Sequence, residues 1–296
     1  MVVIDDLSTG RSSNIEHLNS NVNFEFIEGS ILNTGLVDKT VSKVDRIFHL
    51  AAAVGVELIV RKPLESLSTN IRGTEVIFEK AHKYNKRTLV TSTSEIYGKN
   101  TSDSLSEEDD RILGSPLKSR WSYSEAKAID EIFAYTYWLE KKLETVIVRL
   151  FNTVGTRQTG SYGMVLPRFV SQALTNQPLT IFGDGNQTRC FCSVEDVVLA
   201  MISLSEEEKA FGKVFNLGGN KEISIKELAQ LIIKITDSKS EIEFVPYEIA
   251  YEEGFEDMQR RVPNTDRANS LVGFVPKIEL EEVIATVVKE QLQTED

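Results

Sequence analysis

The sequence predicts a doubly wound α/β fold on a parallel sheet, followed by a smaller C-terminal α/β lobe. Three observations predict it. Short β-rich runs alternate with helical stretches through the first half, the order that parallel sheets require. The first of these runs, Val2-Val3-Ile4, ends on a pair of acids, Asp5-Asp6. Further on, Tyr123 and Lys127 stand one helical turn apart, after the run that ends in Thr91-Ser92-Thr93-Ser94-Glu95.

Taken in order, residues 2–4, 24–27, 46–50, 88–91 and 145–150 are β-branched and apolar enough for buried strands. Between them, helices are predicted near 36–41, 64–84 and 123–142. The second half is more broken. It predicts a helix at 167–175, a strand at 179–182 and a tight turn at Gly183-Asp184-Gly185. A helix at 193–204 opens with a serine cap and acids in its first turn. A strand at 214–217 and helices at 224–235 and 280–292 complete the chain. The expected domains are residues 1–155, a cofactor-binding unit, and residues 156–296, mainly a substrate-binding lobe. Elements near 190–217 are expected to pack back onto the first unit.

The 296 residues carry 33 Lys+Arg against 45 Asp+Glu, a net charge of −12. That balance argues against a nucleic-acid surface and means that an anionic substrate must be met by local arginines. No apolar run is long enough to span a membrane, and Met1-Val-Val-Ile meets Asp5 too soon for a signal peptide. Cys190 and Cys192, two apart on a predicted strand, read as reduced core thiols of a cytoplasmic protein. No metal site is expected, and His17, His49 and His82 lack any partner spacing. The acidic runs 107–110 and 206–208 read as solvated loops or helix faces.

The Tyr123–Lys127 spacing carries chemistry because residues four apart share a helix face. An unperturbed tyrosine titrates near ~10, so a base working near neutrality needs roughly 4 kcal/mol of differential stabilisation. One ammonium at ~4 Å in an effective dielectric of ~20 supplies about that much. A hydroxyl of Ser92 or Thr93 would relay the proton. Tyr137 and Lys141 repeat the spacing, but roughly 21 Å further along the same helix. Ligands of open α/β sheets bind outside the carboxyl ends of the strands, where the helix begins. Tyr123 is therefore the expected base, and Tyr137 a packing residue.

A dinucleotide-binding unit normally opens with a strand, a glycine-rich loop and a helix, and an acid at the end of its second strand holds the adenosine ribose. Val2-Val3-Ile4-Asp5 reads as that second strand. The preceding strand, loop and helix, roughly 30 residues in such a unit, are not found in the sequence, and no other glycine cluster replaces them. Because the first strand is normally central, a gap in the middle of the sheet is expected. Weak NAD binding by the chain as written follows. Met1 falling inside a strand suggests a protein that begins further upstream.

Together these segments resemble the extended short-chain dehydrogenase/reductases, the NAD-dependent nucleotide-sugar epimerases, dehydratases and decarboxylases with a Rossmann-like fold. The resemblance runs from residue 1 to about residue 290. It implies NAD as cofactor, with Asp5 on the adenosine ribose and His49-Leu50-Ala51-Ala52 bordering the cofactor. Asn70, in Asn70-Ile71-Arg72-Gly73-Thr74, matches the family's structural and active-site asparagine. Ser92-Thr93-Ser94-Glu95 matches the catalytic hydroxyl strand, Tyr123 the base, and Lys127 its partner and a nicotinamide-ribose ligand. Asn152 and Arg189 match nucleotide-sugar contacts, and Arg260-Arg261 a second arginine site near the diphosphate or sugar. Ser30 stands where many relatives carry an aspartate facing adenine. Homodimerisation through helices 64–84 and 123–142 is also implied.

The implied chemistry is transient oxidation at sugar carbon 4. Dehydratases usually follow the catalytic hydroxyl with an aspartate and a glutamate; here the aspartate position is Ser94, which places 4,6-dehydration third. Ser94-Glu95, Arg120-Trp121-x-Tyr123-Ser124, Arg189-Cys190-Phe191 and Arg260-Arg261 resemble the UDP-glucuronate decarboxylases. In that reading Glu95 is an acid and Arg261 holds the uronate carboxylate. Simple UDP-sugar 4-epimerases share most of these motifs, so the two reactions stand level. An impaired paralogue that binds nucleotide-sugar or pairs with a full-length relative is the alternative from another class. Trp121 is expected to pack at the helix start.

Overall fold

The computed structural model describes residues 1–54, 62–118, 121–160, 164–250 and 258–294. Arg120, part of one motif above, lies outside them. Nine helices and twelve strands are found among the described residues. The larger sheet is parallel, in the order β10 (Lys213–Leu217), β5 (Thr145–Leu150), β4 (Arg87–Thr93), β3 (Arg46–His49). β4 and β5 are continuous apolar and threonine runs because both of their faces are covered. Val146, Ile147 and Val148 are each at most 1% exposed, a burial of roughly 1.5–3 kcal/mol per side chain.

β1 (Val2–Asp5) and β2 (Glu25–Glu28) form a separate parallel pair, Val3 opposite Phe26. Among the described residues β1 pairs only with β2, and β3 only with β4. Val2–Ile4 of β1 and Ile47 and Phe48 of β3 are only half-buried. The pair is tied to the rest by α1 (Thr34–Val41), which starts on an Asn33 cap to the Leu36 amide. Its Val37 and Val41 pack with Ile31 and with Ile77 of α2 (Pro63–Lys83), and Lys83 bridges to Asp38 at 2.7 Å.

α3 (Ser122–Lys141) lies beside α2 on one face of the larger sheet and ends at Lys142 in the left-handed region. On the other face, α5 (Val194–Glu206) sets Val197, Ala200, Met201 and Leu204 against Phe215, Val148 and Phe48. Its Ser193 cap forms as expected, its hydroxyl accepting from the Glu195 amide. The outward Val198, Leu199 and Ile202 remain exposed.

A second core joins α4 (Val165–Leu174), β7 (Leu179–Phe182), α6 (Ile225–Thr236) and α9 (Leu280–Thr294). α6 opens with a reciprocal Ser224–Glu227 capping box, and β7 pairs with β12 (Ile242–Val245). Two expectations need correction. The cysteine segment is not one strand: β8 (Thr188–Cys190) pairs with β11 (Glu222–Ser224), whereas β9 (Cys192–Ser193) pairs with β6 (Thr153–Val154). Both thiols are free and buried, and desolvation pushes each up to about 12. Glu107 is not solvated; its carboxylate is buried and accepts the Asn216 amide at 2.8 Å.

Candidate active site

The carboxyl ends of β1, β2 and β3 open on one cavity of about 450 Å³, within the range of small-molecule sites. Ile4, Asp5, Gly29, Ile31 and residues 50–54 line it. Asp5 sits at the end of its strand, its carboxylate accepting the Leu7 amide at 2.7 Å. Leu50, 56% exposed, and Ala51 and Ala52 form the opposite wall. Asn70, fully buried on α2, fixes that wall: its amide oxygen accepts from Ala53 N at 2.7 Å and its amide nitrogen donates to Ala53 O at 3.2 Å. The predicted structural asparagine thus works as a backbone clamp.

The second cluster lies where β4 ends and α3 begins. The Thr93 hydroxyl accepts the Glu95 amide at 3.2 Å, starting a short 3₁₀ turn over Ser94–Tyr97. The neighbouring Ser92 hydroxyl is buried with no hydrogen-bond partner among the described residues. Successive strand residues point to opposite faces, so only one of the two can share a face with the tyrosine. Ser124 donates to the Glu95 carbonyl at 2.9 Å, pinning the first turn of α3 to this segment. That pin brings Tyr123 to the sheet edge; Trp121 packs beneath at 1% exposure. Tyr137, by contrast, stacks on Phe78 with ring centroids 5.6 Å apart.

Tyr123 is 8% exposed, and its hydroxyl makes no hydrogen bond among the described residues. Burial pushes its pKa above the ordinary tyrosine value, with the Glu95 and Asp130 carboxylates adding to the shift. The Lys127 ammonium, 2% exposed, donates to Thr91 O at 2.9 Å and to Asp130 Oδ2 at 3.1 Å. A buried carboxylate thus takes part of the lysine's field. Asp130 was not singled out from sequence. Its signal was there, an acid at i+3 from the lysine and so on the same face. Asp130 itself is held above the ordinary carboxyl value by desolvation, which the Lys127 charge counteracts.

The two clusters meet at His49. Its carbonyl accepts the Thr91 hydroxyl at 3.2 Å, and its Nε2 lies 2.8 Å from the Thr74 hydroxyl. Fully buried, and facing the Lys127 charge, the imidazole is pushed down to about 3 and stays neutral.

The arginines separate. Arg261 reaches Ser94 Oγ at 3.3 Å and lies 3.8 Å from Glu95 Oε1. Arg260 instead grips Glu222 with two bonds, at 2.8 and 2.9 Å. Arg189 is 6% exposed on β8 and donates to the Thr188 carbonyl at 2.8 Å. The Asn152 amide oxygen is buried without a hydrogen-bond partner among the described residues. A network missed from sequence underlies the site. Arg149 binds Glu131 of α3 at 2.9 and 2.8 Å and donates to Tyr97 Oη at 3.0 Å; that hydroxyl donates to Asn216 at 2.7 Å.

Comparison with known proteins agrees with this geometry. The family model described as GDP-mannose 4,6 dehydratase matches residues 1–287. The chain belongs to that family. It is 39% identical over 283 residues to a UDP-N-acetyl-alpha-D-glucosaminuronate decarboxylase from Bacillus cytotoxicus, covering 95% of this chain and 87% of that one. It is 34% identical to UDP-glucuronic acid decarboxylase 1 from Danio rerio, covering 95% of this chain and spanning 64% of the relative's length. Among solved structures, UDP-glucuronic acid 4-epimerase from Bacillus cereus, in complex with UDP-glucuronic acid and NAD, superposes with a TM-score of 0.88. There the identity is 27%, and 99% of this chain and 91% of that one are covered. Among the described residues no helix is long and apolar enough to cross a membrane, and no cluster could hold a metal ion.

Proposed function

We propose that this chain is an NAD-dependent decarboxylase of a UDP-uronate, working through a transient ketone at sugar carbon 4. The observation that carries the proposal is Arg261, brought by the fold against Ser94 and Glu95 beside the start of α3. A guanidinium there suits a uronate carboxylate by charge-assisted hydrogen bonds, and the 39% identity to a uronate decarboxylase supports it.

The cavity between β1 and β3 suits part of NAD. Asp5 is placed for a ribose hydroxyl pair, and the Asn70-clamped Leu50-Ala51-Ala52 wall for the cofactor's flank. When bound, NAD supplies the hydride acceptor and returns the hydride. Tyr123 takes the proton from the carbon-4 hydroxyl, and Lys127 stabilises the phenolate and holds the nicotinamide ribose. Thr93, rather than the enclosed Ser92, relays that proton. With a ketone at carbon 4, the bond from carbon 5 to the carboxylate breaks and carbon dioxide leaves. The electron pair moves into the carbonyl, and Glu95 returns a proton to carbon 5. Asn152 and Arg189 hold the nucleotide end.

Carbon-4 epimerisation of a UDP-uronate is the second reading, favoured by the likeness to the Bacillus cereus epimerase. The two separate on incubating the chain and NAD with UDP-glucuronate and UDP-N-acetylglucosaminuronate. Carbon dioxide and a pentose product support decarboxylation; a galacto-configured uronate supports epimerisation. The homodimer face is read as α2 and α3, where Ile132, Tyr135 and Leu139 stand exposed on one side of α3.

A further inference from the structure

We propose that Asp130 is a positioning residue that holds the Lys127 ammonium in place and, through it, sets the basicity of Tyr123. This rests on the reading of Tyr123 and Lys127 as base and partner. The geometry is that of a shielded pair. Both side chains are nearly inaccessible, 2% and 1% exposed, with Asp130 Oδ2 3.1 Å from Lys127 Nζ. Thr91 O takes a second ammonium proton at 2.9 Å. An ammonium has three donors, so one remains for the phenol side. The Thr74 hydroxyl of α2 also acts on this carboxylate and favours its charged form.

The surroundings make Asp130 the main brake on the lysine. Tyr123 is faced by Asp130 of its own helix and by Glu95 of the 94–97 turn, and Lys127 stands one helical turn on from it. Glu95 has Arg261 3.8 Å away. Behind Asp130 stand Thr74 of α2 and the adjacent Glu131, whose charge is taken up by Arg149; His49 of β3 is neutral. Lys127 is therefore the cation nearest to Tyr123 along the helix face, and Asp130 is the carboxylate that offsets it. Removing the Asp130 charge leaves the ammonium uncompensated, which favours the Tyr123 phenolate and lowers its pKa. An opposite charge at close range typically moves a pKa by roughly 1–3 units.

The test uses Asp130→Asn, which keeps shape, and Asp130→Glu, which keeps charge. With NAD and the active nucleotide-sugar, the acidic limb of the kcat/KM profile is expected to move about one unit lower in Asp130→Asn and to stay in place in Asp130→Glu. A merely structural role would lower kcat in both without moving the limb, and that result overturns the proposal. A second measurement needs only the unmutated chain: the Lys127 Cε resonance, assigned through Lys127→Met, followed against pH. Coupling predicts a displacement of that resonance as Asp130 protonates above the usual aspartate range; a flat resonance there also overturns the proposal. A chain that shows this coupling yet turns over no nucleotide-sugar contradicts the proposed function and not the pairing.

Discussion

Arg261 lies 3.8 Å from the Glu95 carboxylate, while its sequence neighbour Arg260 is committed to Glu222 on the opposite side. Two adjacent arginines thus have different work, although their sequence context is the same. Arg261→Ala is expected to lower kcat/KM on a uronate by at least about 10-fold, the worth of a charged hydrogen bond of roughly 1.5–3 kcal/mol. Arg260→Ala removes an exposed pair worth about 0–1 kcal/mol and should leave the uronate constants within a few-fold. Parallel initial-rate measurements on both variants check this.

The Arg149–Glu131 pair makes a stability prediction. Arg149→Met leaves the Glu131 carboxylate buried and unpaired, and is expected to cost about 3–5 kcal/mol. Arg149→Met combined with Glu131→Leu should recover most of that loss, because the desolvation penalty goes with both charges. Urea denaturation of the two variants decides between a pair needed for stability and one that is merely costly to break.

How much of this was legible in the sequence depends on range. The strands, the Ser193 and Ser224 caps and the Tyr123–Lys127 spacing are local patterns, and local patterns survive into the fold. Glu107 was misread because its neighbours look solvated; what buries it is the Asn216 amide, far away in the chain. The Arg149–Tyr97–Asn216 network escaped for the same reason. The cysteine segment fooled the period-2 reading because it leaves one partner strand for another at Phe191. The short helix Asp266–Val272 has too few apolar residues to reveal its period, although Gly273 in the left-handed region marks its end.

His49 makes stability depend on pH with a definite sign. Its folded value, about 3, lies below the ordinary value of 6.5, so between the two the unfolded chain binds the extra proton. Stability from this group is complete above about 6.5 and falls as pH drops toward 3. The raised Asp130 carboxyl slopes the other way, since it gains as pH falls. The difference between wild type and His49→Gln in ΔG of unfolding isolates the histidine. That difference should shift against wild type with every unit of acidification in the window, by at most ~1.4 kcal/mol per unit.

Gly98 and Gly273 separate strain from collision. Both have positive φ, +59° and +71°. A Cβ on Gly98 would lie 2.3 Å from the Ile112 carbonyl oxygen, whereas one on Gly273 meets nothing within 4 Å. Gly273→Ala should cost about 1 kcal/mol. Gly98→Ala adds displacement of the backbone beside the Ser94–Tyr97 turn and should exceed about 3 kcal/mol, with a parallel loss of turnover. Thermal unfolding and initial rates on the two variants test the contrast.

The break between β1 and β3 has a consequence for handling the molecule. Among the described residues neither β1 nor β3 has a strand on its second edge, and the exposed Val198, Leu199 and Ile202 of α5 add a greasy strip on the outer side of that helix. Such borders recruit strands from other polypeptides. Concentrated samples are expected to self-associate by trading segments across this seam, and a peptide able to zip between the two borders should act as a stabiliser that keeps the particles small.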